Sequence, residues 1–283
     1  MTAKTIVITG ASDGIGAAAA SALAKEHHVV IVGRSPTKTA EVARCLEVPF
    51  HLADFARLDD VMALGATLNT AYPQIDVLVH NAGAIFGEST VTIDGFEANF
   101  QVNHLAHHLL TSQLRENVTA TGGSILFTSS ISARAVRRVN VAHQHLPIPK
   151  GNYHPLRAYA AAKLAALAAM YELHLRYGID GSLRIGAFHP GLIGSAIASD
   201  LPGIVGRLDR TRLRKWLAST PEKGAKQLVH LATTDDWPTG EYFERGRVRT
   251  DKITHLANRD FTSQVWDHAE SLLTVRAKRP KWA

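Results

Sequence analysis

Short apolar runs rich in β-branched residues alternate along the chain with longer, alanine-rich stretches. The runs are TIVIT (5–9), HVVIVG (28–33), VPFHLA (48–53), IDVLVH (75–80), SILFTS (124–129) and LRIGAFH (183–189). They are apolar at consecutive positions, which predicts strands covered on both faces. Between them, helices are expected near 14–26, 37–47, 57–70, 94–118 and 156–177. Strand–helix alternation implies right-handed crossovers and parallel pairing. The pattern therefore predicts an α/β protein with a doubly wound, mostly parallel sheet flanked by helices, a Rossmann-type fold. No composition shift marks a second domain, so residues 1–283 are read as one.

Sheets of this kind bind their ligands outside the carboxyl ends of the strands. The chain places Thr9-Gly10, Gly33-Arg34, Asp54, Asn81-Ala82-Gly83, Ser129-Ser130 and Pro190-Gly191 at those ends. The first is the start of GASDGIG, with Gly10, Gly14 and Gly16 spaced G-x-x-x-G-x-G between a strand and a helix. Glycines let backbone approach a pyrophosphate, and the following helix offers free N–H groups and a positive dipole end. Ser12 can add a hydroxyl donor. Dinucleotide binding is the expectation.

Sites for NAD usually carry a carboxylate at the end of the second strand for the ribose hydroxyls. Here Gly33 is followed by Arg34 and Ser35. A guanidinium pairs with a 2′-phosphate, which a carboxylate would repel. NADP(H) is expected over NAD(H). Asp13 departs from this, because an acid inside the glycine turn does not assist a phosphate. Asp54 is placed either to accept from the adenine amino group or to cap the helix starting near Arg57.

Tyr159-Ala160-Ala161-Ala162-Lys163 sets a phenol and an ammonium four apart, on one face of a helix. A free phenol, with a pKa of about 10, is a poor acid–base catalyst at neutral pH. A nearby cation stabilises the phenolate. Lowering the phenol by roughly three units would take about 4 kcal/mol of differential stabilisation.

TGASDGIG, NAG (81–83), Asn103, SS (129–130), YAAAK and HPG (189–191) occur in one order across nearly the whole chain. Together they resemble the short-chain dehydrogenase/reductase family. FQVNHLAHHLLT (100–111) and the long stretch between Ser130 and Tyr159 are similar to the branch holding retinol dehydrogenases and WW-domain-containing oxidoreductase, although no WW module is visible. The resemblance implies a catalytic tetrad. Tyr159 would be the general acid in reduction and the base in oxidation. Ser130 would bond the substrate oxygen, with Ser129 as the alternative by spacing. Lys163 would lower the Tyr159 pKa and bond the nicotinamide ribose, and Asn103 would hold a water linking Lys163 to solvent. It also implies cofactor contacts from Gly10, Ser12, Asp13, Gly14, Ile15, Gly16, Arg34, Asp54, Asn81, Ala82 and Gly83, and from Pro190, Gly191, Ile193 and Ser195 beside the nicotinamide. Related enzymes often pair through long helices, so a homodimer or homotetramer is implied, and the stretch 160–170 is either core or a subunit contact.

The segment RRVNVAHQHLPIPKGNYHPLR (137–157) is long for a loop and could wall a substrate pocket. The segment 192–218 follows as a lid; its Ile197, Leu201, Ile204 and Val205 suit either an apolar substrate or packing on the sheet.

The chain has 283 residues and a formal charge of +6, with 25 acidic residues interspersed. It shows no basic stripe with interleaved aromatics, so nucleic acid is not an expected partner. Cys45 is the single cysteine, which precludes an intrachain disulfide framework. No apolar stretch suits a membrane span or a signal segment, so a soluble, cytoplasmic protein is expected. Fifteen histidines invite metal readings. His104 and His108 lie four apart, but no carboxylate completes an H-E-x-x-H pattern, so no metal is expected. His104 is expected beside the Tyr159 helix, and His143 and His145 in a loop. The expected function is NADP(H)-dependent interconversion of an alcohol with an aldehyde or ketone, on a small or apolar substrate. The rivals are an NAD-linked alcohol dehydrogenase and a non-catalytic dinucleotide sensor.

Overall fold

All six apolar runs form strands in the computed structural model, which describes residues 2–136, 139–191 and 220–277. They are β1 (Thr5–Thr9), β2 (His28–Gly33), β3 (Phe50–Leu52), β4 (Val77–His80), β5 (Ser124–Thr128) and β6 (Arg184–His189). Two more follow, β7 (Glu241–Glu244) and β8 (Arg247–Val248). The sheet order is β3-β2-β1-β4-β5-β6-β7-β8. Every pairing is parallel except β7 with β8.

The consecutive apolar positions divide between the two faces, as a period of two requires. Ile6, Ile8, Val29, Ile31, Val77 and Val79 pack with α1 (Gly14–Leu23) in one core. Val7, Val30, Val32, Leu78, Ile125 and Phe127 pack into the other, beneath α3 (Leu58–Ala71). Helix α2 (Pro36–Leu46) lies between β2 and β3 in sequence, its first turn capped by Ser35.

The helix expected near 94–118 is three pieces: α4 (Ala98–Phe100), a π-helical turn (Gln101–Leu105) and α5 (Ala106–Thr119). Asn103 sits inside the π turn and its side chain donates to the Asn99 carbonyl at 3.0 Å, a position an α-helical N–H would otherwise serve. Helix α6 (Pro155–Tyr177) then crosses the same face. Helix α7 (Pro221–Thr233) packs with α1 on the opposite face, through Leu228, Leu231 and Ala232.

Helix α8 (Arg259–Ala277) lies against α6, placing Val265, Trp266 and Ala269 in the same core as Leu164, Ala168 and Met170. Polar contacts along it include Arg276 to Asp94 at 2.7 Å and to Asp59 at 2.9 Å, Arg259 to Glu172 at 3.1 Å, and the hydrogen bond between Glu270 and His108 at 2.7 Å. The stretch 160–170 is therefore core. Among the described residues, no helix is long and apolar enough to cross a membrane.

Candidate active site

The strand ends converge as the fold requires, and threonine and asparagine side chains tie them together. Thr9 Oγ1 donates to the Val79 carbonyl at 3.0 Å and accepts from the backbone N–H groups of Asn81 and Ala82. Asn81 Nδ2 donates to the carbonyls of Thr9 (3.0 Å) and Gly10 (3.1 Å), and its Oδ1 accepts from Thr128 Oγ1 at 3.1 Å. One amide thus joins the ends of β1, β4 and β5. The Asn81 side chain is a cross-link that shapes the glycine turn.

That turn needs its glycines for different reasons. Gly10 has φ +66°, and a Cβ there would sit 2.7 Å from Ala82 Cα. A Cβ on Gly16 would meet the Gly10 carbonyl at 2.5 Å and Asn81 Nδ2 at 2.6 Å. Gly14, with φ +57°, meets nothing within 4 Å, so bare backbone faces open space at the N-terminus of α1. An exposed amide-bearing turn at a positive dipole end fits a pyrophosphate. Ser12 flanks it, close to where a Cβ on Gly33 would lie. Ile15 buries its side chain in the core, which leaves only its backbone for a ligand.

Asp13 caps α1, accepting from Gly14 N–H at 2.7 Å, and pairs with Lys38 of α2 at 3.2 Å. Its acidity is therefore offset from the next helix. Lys38 went unmarked in the sequence because its placement depends on how α2 docks. Arg34 is exposed at the end of β2 and makes no ion pair among the described residues. Asp54 accepts from Ala56 N–H at 3.0 Å, a local turn, while Asp94 accepts from Leu58 N–H at the start of α3. The helix start expected of Asp54 is thus served by Asp94, while the Asp54 carboxylate makes a turn contact and stays half-exposed.

On the other side, α6 carries Tyr159 and Lys163 into the interior; Tyr159 is 8% exposed and Lys163 3%. Lys163 Nζ donates to the Thr128 carbonyl at 2.9 Å and lies 5.8 Å from the Tyr159 ring centroid. The Ser130 side chain acts on the Tyr159 phenol, favouring its ionised form. Ser129, by contrast, is buried and its Oγ has no partner among the described residues, so Ser130 is the serine that meets the phenol. Asn103 Nδ2 donates to the carbonyls of Ala84 and Asn99, and its Oδ1 accepts from Ala84 N–H. Both Nδ2 protons are thus engaged by backbone, and Oδ1 keeps one lone pair for the water that the resemblance implies. A Cβ on Gly83 would fall 2.8 Å from Asn103 Oδ1 and 3.3 Å from Lys163 Nζ. Gly83, Asn103 and Lys163 are therefore one packed group.

The electrostatics correct one expectation. Burial pushes Tyr159 up to about 12, with the Ser130 hydrogen bond acting in the opposite direction. Burial also pushes Lys163 down to about 8. In the protein alone, burial sets the phenol's pKa, and Lys163 does not bring it toward neutrality.

Pro190 and Gly191 follow β6, Gly191 with φ +93°. Ile193, Ser195 and the segment 192–218 lie outside the described residues, as do residues 137 and 138. The rest of 139–157 is pinned to the stretch after β4. Tyr153 Oη donates to the Phe86 carbonyl at 2.5 Å, Ser89 Oγ to the Ile148 carbonyl at 2.5 Å, and Glu97 N–H to the His145 carbonyl at 2.8 Å. His143 and His145 lie in that stretch, His145 bonded to His268 at 3.0 Å. His104 lines a small internal cavity of about 10 Å³ with Ala166, Ala169 and Leu173 of α6, as expected.

A family model for the short chain dehydrogenases matches residues 4–143. DnrU of Streptomyces sp. (strain C5), assigned as a daunorubicin C-13 ketoreductase, is 38% identical over 256 residues, covering 87% of this chain and 84% of DnrU. The chain belongs to the short-chain dehydrogenase/reductase family. Human retinol dehydrogenase 13 is 27% identical, covering 97% of this chain and 86% of its own. A solved short chain dehydrogenase from Shigella flexneri 2a, complexed with NADP, superposes with a TM-score of 0.68 at 26% identity, covering 86% of this chain and 97% of that one. This dehydrogenase/reductase is thus an oxidoreductase resembling the retinol dehydrogenase branch.

The crowding at Gly83 makes a first prediction for it. Gly83→Ala should destabilise the protein by about 1–3 kcal/mol, because Asn103 is held by hydrogen bonds to Ala84 and Asn99 and Lys163 by the Thr128 carbonyl, and moving either breaks them. A urea unfolding midpoint equal to wild type would show that Asn103 or Lys163 moves aside.

Proposed function

We propose that this protein is an NADP(H)-dependent oxidoreductase that interconverts an alcohol with an aldehyde or ketone. The observation that carries the reading is the meeting of Ser130, Tyr159 and Lys163 at the carboxyl ends of β5 and β4, next to an open glycine turn. A bound nicotinamide supplies or accepts the hydride. Tyr159 gives its proton to the carbonyl oxygen in reduction and takes it back in oxidation. Ser130 donates to the same oxygen and orients it. Lys163, held by the Thr128 carbonyl, brings a positive charge toward the phenolate that forms and toward the cofactor's ribose. Asn103 holds the strand-end strap of Ala82, Gly83 and Ala84 against Lys163.

Preference for the 2′-phosphate is supported by Arg34, exposed and without an ion pair among the described residues, and by Lys38 nearby. No carboxylate stands at residues 33–35 to repel it. The NADP found in the Shigella flexneri relative agrees with this choice. A ketone or aldehyde on an apolar framework is supported by the names of the relatives, a ketoreductase and a retinol dehydrogenase.

The test is oxidation of NADPH and of NADH with all-trans-retinal, 4-nitrobenzaldehyde and daunorubicin as oxidants. Turnover of at least one with NADPH, at higher kcat/KM than with NADH, is expected. Arg34→Ala should then raise KM for NADPH about tenfold or more and leave that for NADH nearly unchanged, since a charge-assisted phosphate contact contributes about 1.5–3 kcal/mol. Faster turnover with NADH in the wild type would sink the cofactor assignment.

A further inference from the structure

Ser130 is followed directly by a short 3₁₀ turn, Ile131–Ala135, and caps it. The Ser130 Oγ accepts from the backbone N–H of Ser132 at 3.3 Å, and the Ser132 hydroxyl donates to it at 3.0 Å. A serine hydroxyl has one proton and two acceptor lone pairs. The backbone N–H can only donate, so one lone pair is committed whatever the hydroxyls do. With both lone pairs facing Ser132, the single proton of Ser130 points the other way. Helix α6, which carries Tyr159, packs against this turn.

The turn is held at its far end as well. Arg134 forms a two-pronged pair with Glu244 of β7, at 3.0 and 3.1 Å, and Tyr242 Oη donates to the same carboxylate at 3.0 Å. Ala133 is buried in the core beneath. Ser132 therefore sits in a turn fixed on both sides, half-buried, with its donors fixed on Ser130.

We infer that Ser132 is a positioning residue for the reaction proposed above: it saturates the acceptor capacity of Ser130 and so commits the Ser130 proton to Tyr159 and the substrate oxygen. This inference rests on that proposed reaction. Donation into Ser130 also polarises its O–H, since chained hydrogen bonds strengthen one another. Ser132 does not touch the reacting atoms. Its effect passes through Ser130.

The experiment compares wild type, Ser132→Ala and Ser132→Thr in NADPH oxidation by whichever of all-trans-retinal, 4-nitrobenzaldehyde and daunorubicin the wild type turns over fastest. NADPH affinity is measured by fluorescence and stability by thermal unfolding. Ser132→Ala is expected to lower kcat by up to about tenfold, the worth of one hydrogen bond at the reacting oxygen, with NADPH affinity and unfolding temperature unchanged. Ser132→Thr keeps the hydroxyl and should return kcat to within about twofold of wild type. Equal loss in both variants would mark Ser132 as a packing position and overturn the inference, as would an unchanged kcat in Ser132→Ala. In either of those cases the proposed reaction stands. NADPH binding by wild type without turnover of any of the three oxidants would instead overturn that reaction, and this inference with it.

Discussion

Tyr159→Phe is expected to bind NADPH as wild type does and to reduce carbonyl substrate about 10²–10⁴-fold more slowly, the range for losing a positioned proton donor. The substitution removes one oxygen from a ring that is 8% exposed and packed in α6, so the fold and the strand-end cross-links around Asn81 are untouched. The loss falls on proton transfer alone. In the protein by itself, burial holds the phenol at about 12, a firmly protonated acid at neutral pH. The alkoxide that forms on hydride transfer draws that proton, and Lys163 must then face a phenolate. Burial has lowered Lys163 to about 8, so its charge is present below that pH and lost above it. Reduction should accordingly decline as pH rises past about 8, in wild type and not in the residual rate of Tyr159→Phe. Measuring kcat against pH for both proteins decides it. A variant retaining more than about a tenth of wild-type kcat would remove Tyr159 from the role of proton donor.

The second large effect concerns stability, and its source lies under the site. His80 ends β4 and is fully buried, its ring stacked on His107 at 5.0 Å and on Phe127 at 4.7 Å. His104 and His107 are 1% and 2% exposed, and the Nε2 of each has no partner among the described residues. Desolvation holds His80 at about 3, and holds His104 and His107 well below the ordinary histidine value. All three are neutral in the folded protein and take up a proton only when it unfolds. Their stabilising effect is thus complete above pH about 6.5 and is lost as pH falls toward the folded values. Each contributes a slope of up to about 1.4 kcal/mol per pH unit, so three together approach about 4 kcal/mol between pH 6 and 5. That is comparable to the stability of many domains. The urea midpoint should fall steeply over this range. His104→Leu removes one titrating ring of similar size with no hydrogen bond at its Nε2 to lose, and should reduce the slope by about a third. A variant slope equal to wild type would mean that these rings are protonated in the folded state.

The sheet was readable because its central strands β1, β2 and β4 are nearly uninterrupted apolar runs, which state locally that both faces will be covered. The edge strand β3 departs from that expectation, with Phe50 and Leu52 exposed. Strands β7 and β8 escaped notice for the opposite reason. EYFE and RV are short and half polar, and they become strands only because β6 offers an edge, with Gly186 to His189 pairing with Glu241 to Glu244. Helix α7, by contrast, has a clear apolar stripe in Ala225, Leu228, Leu231 and Ala232 that the alternation of strands and alanine-rich stretches passed over. The interruption of the helix before α5 had no signal in the pattern. It follows from the Asn103 amide reaching a carbonyl one turn back while binding Ala84, a residue that folding alone brings near.

Much of the candidate site was written in short motifs, since strand ends, glycine spacing and a tyrosine four residues before a lysine are local facts. The sequence by itself determined which side chains stand at the carboxyl edge of the sheet. The tertiary structure decided what each is able to do there. Asn81 ties three strand ends, Lys38 pairs with Asp13, Ser132 hydrogen-bonds to Ser130, and burial shifts Tyr159 and Lys163 in opposite directions. The physical reason is common to all of these. Helix and strand patterns depend on neighbours two to four residues apart, whereas hydrogen-bond capacity and desolvation depend on everything within a few ångströms, most of it remote along the chain.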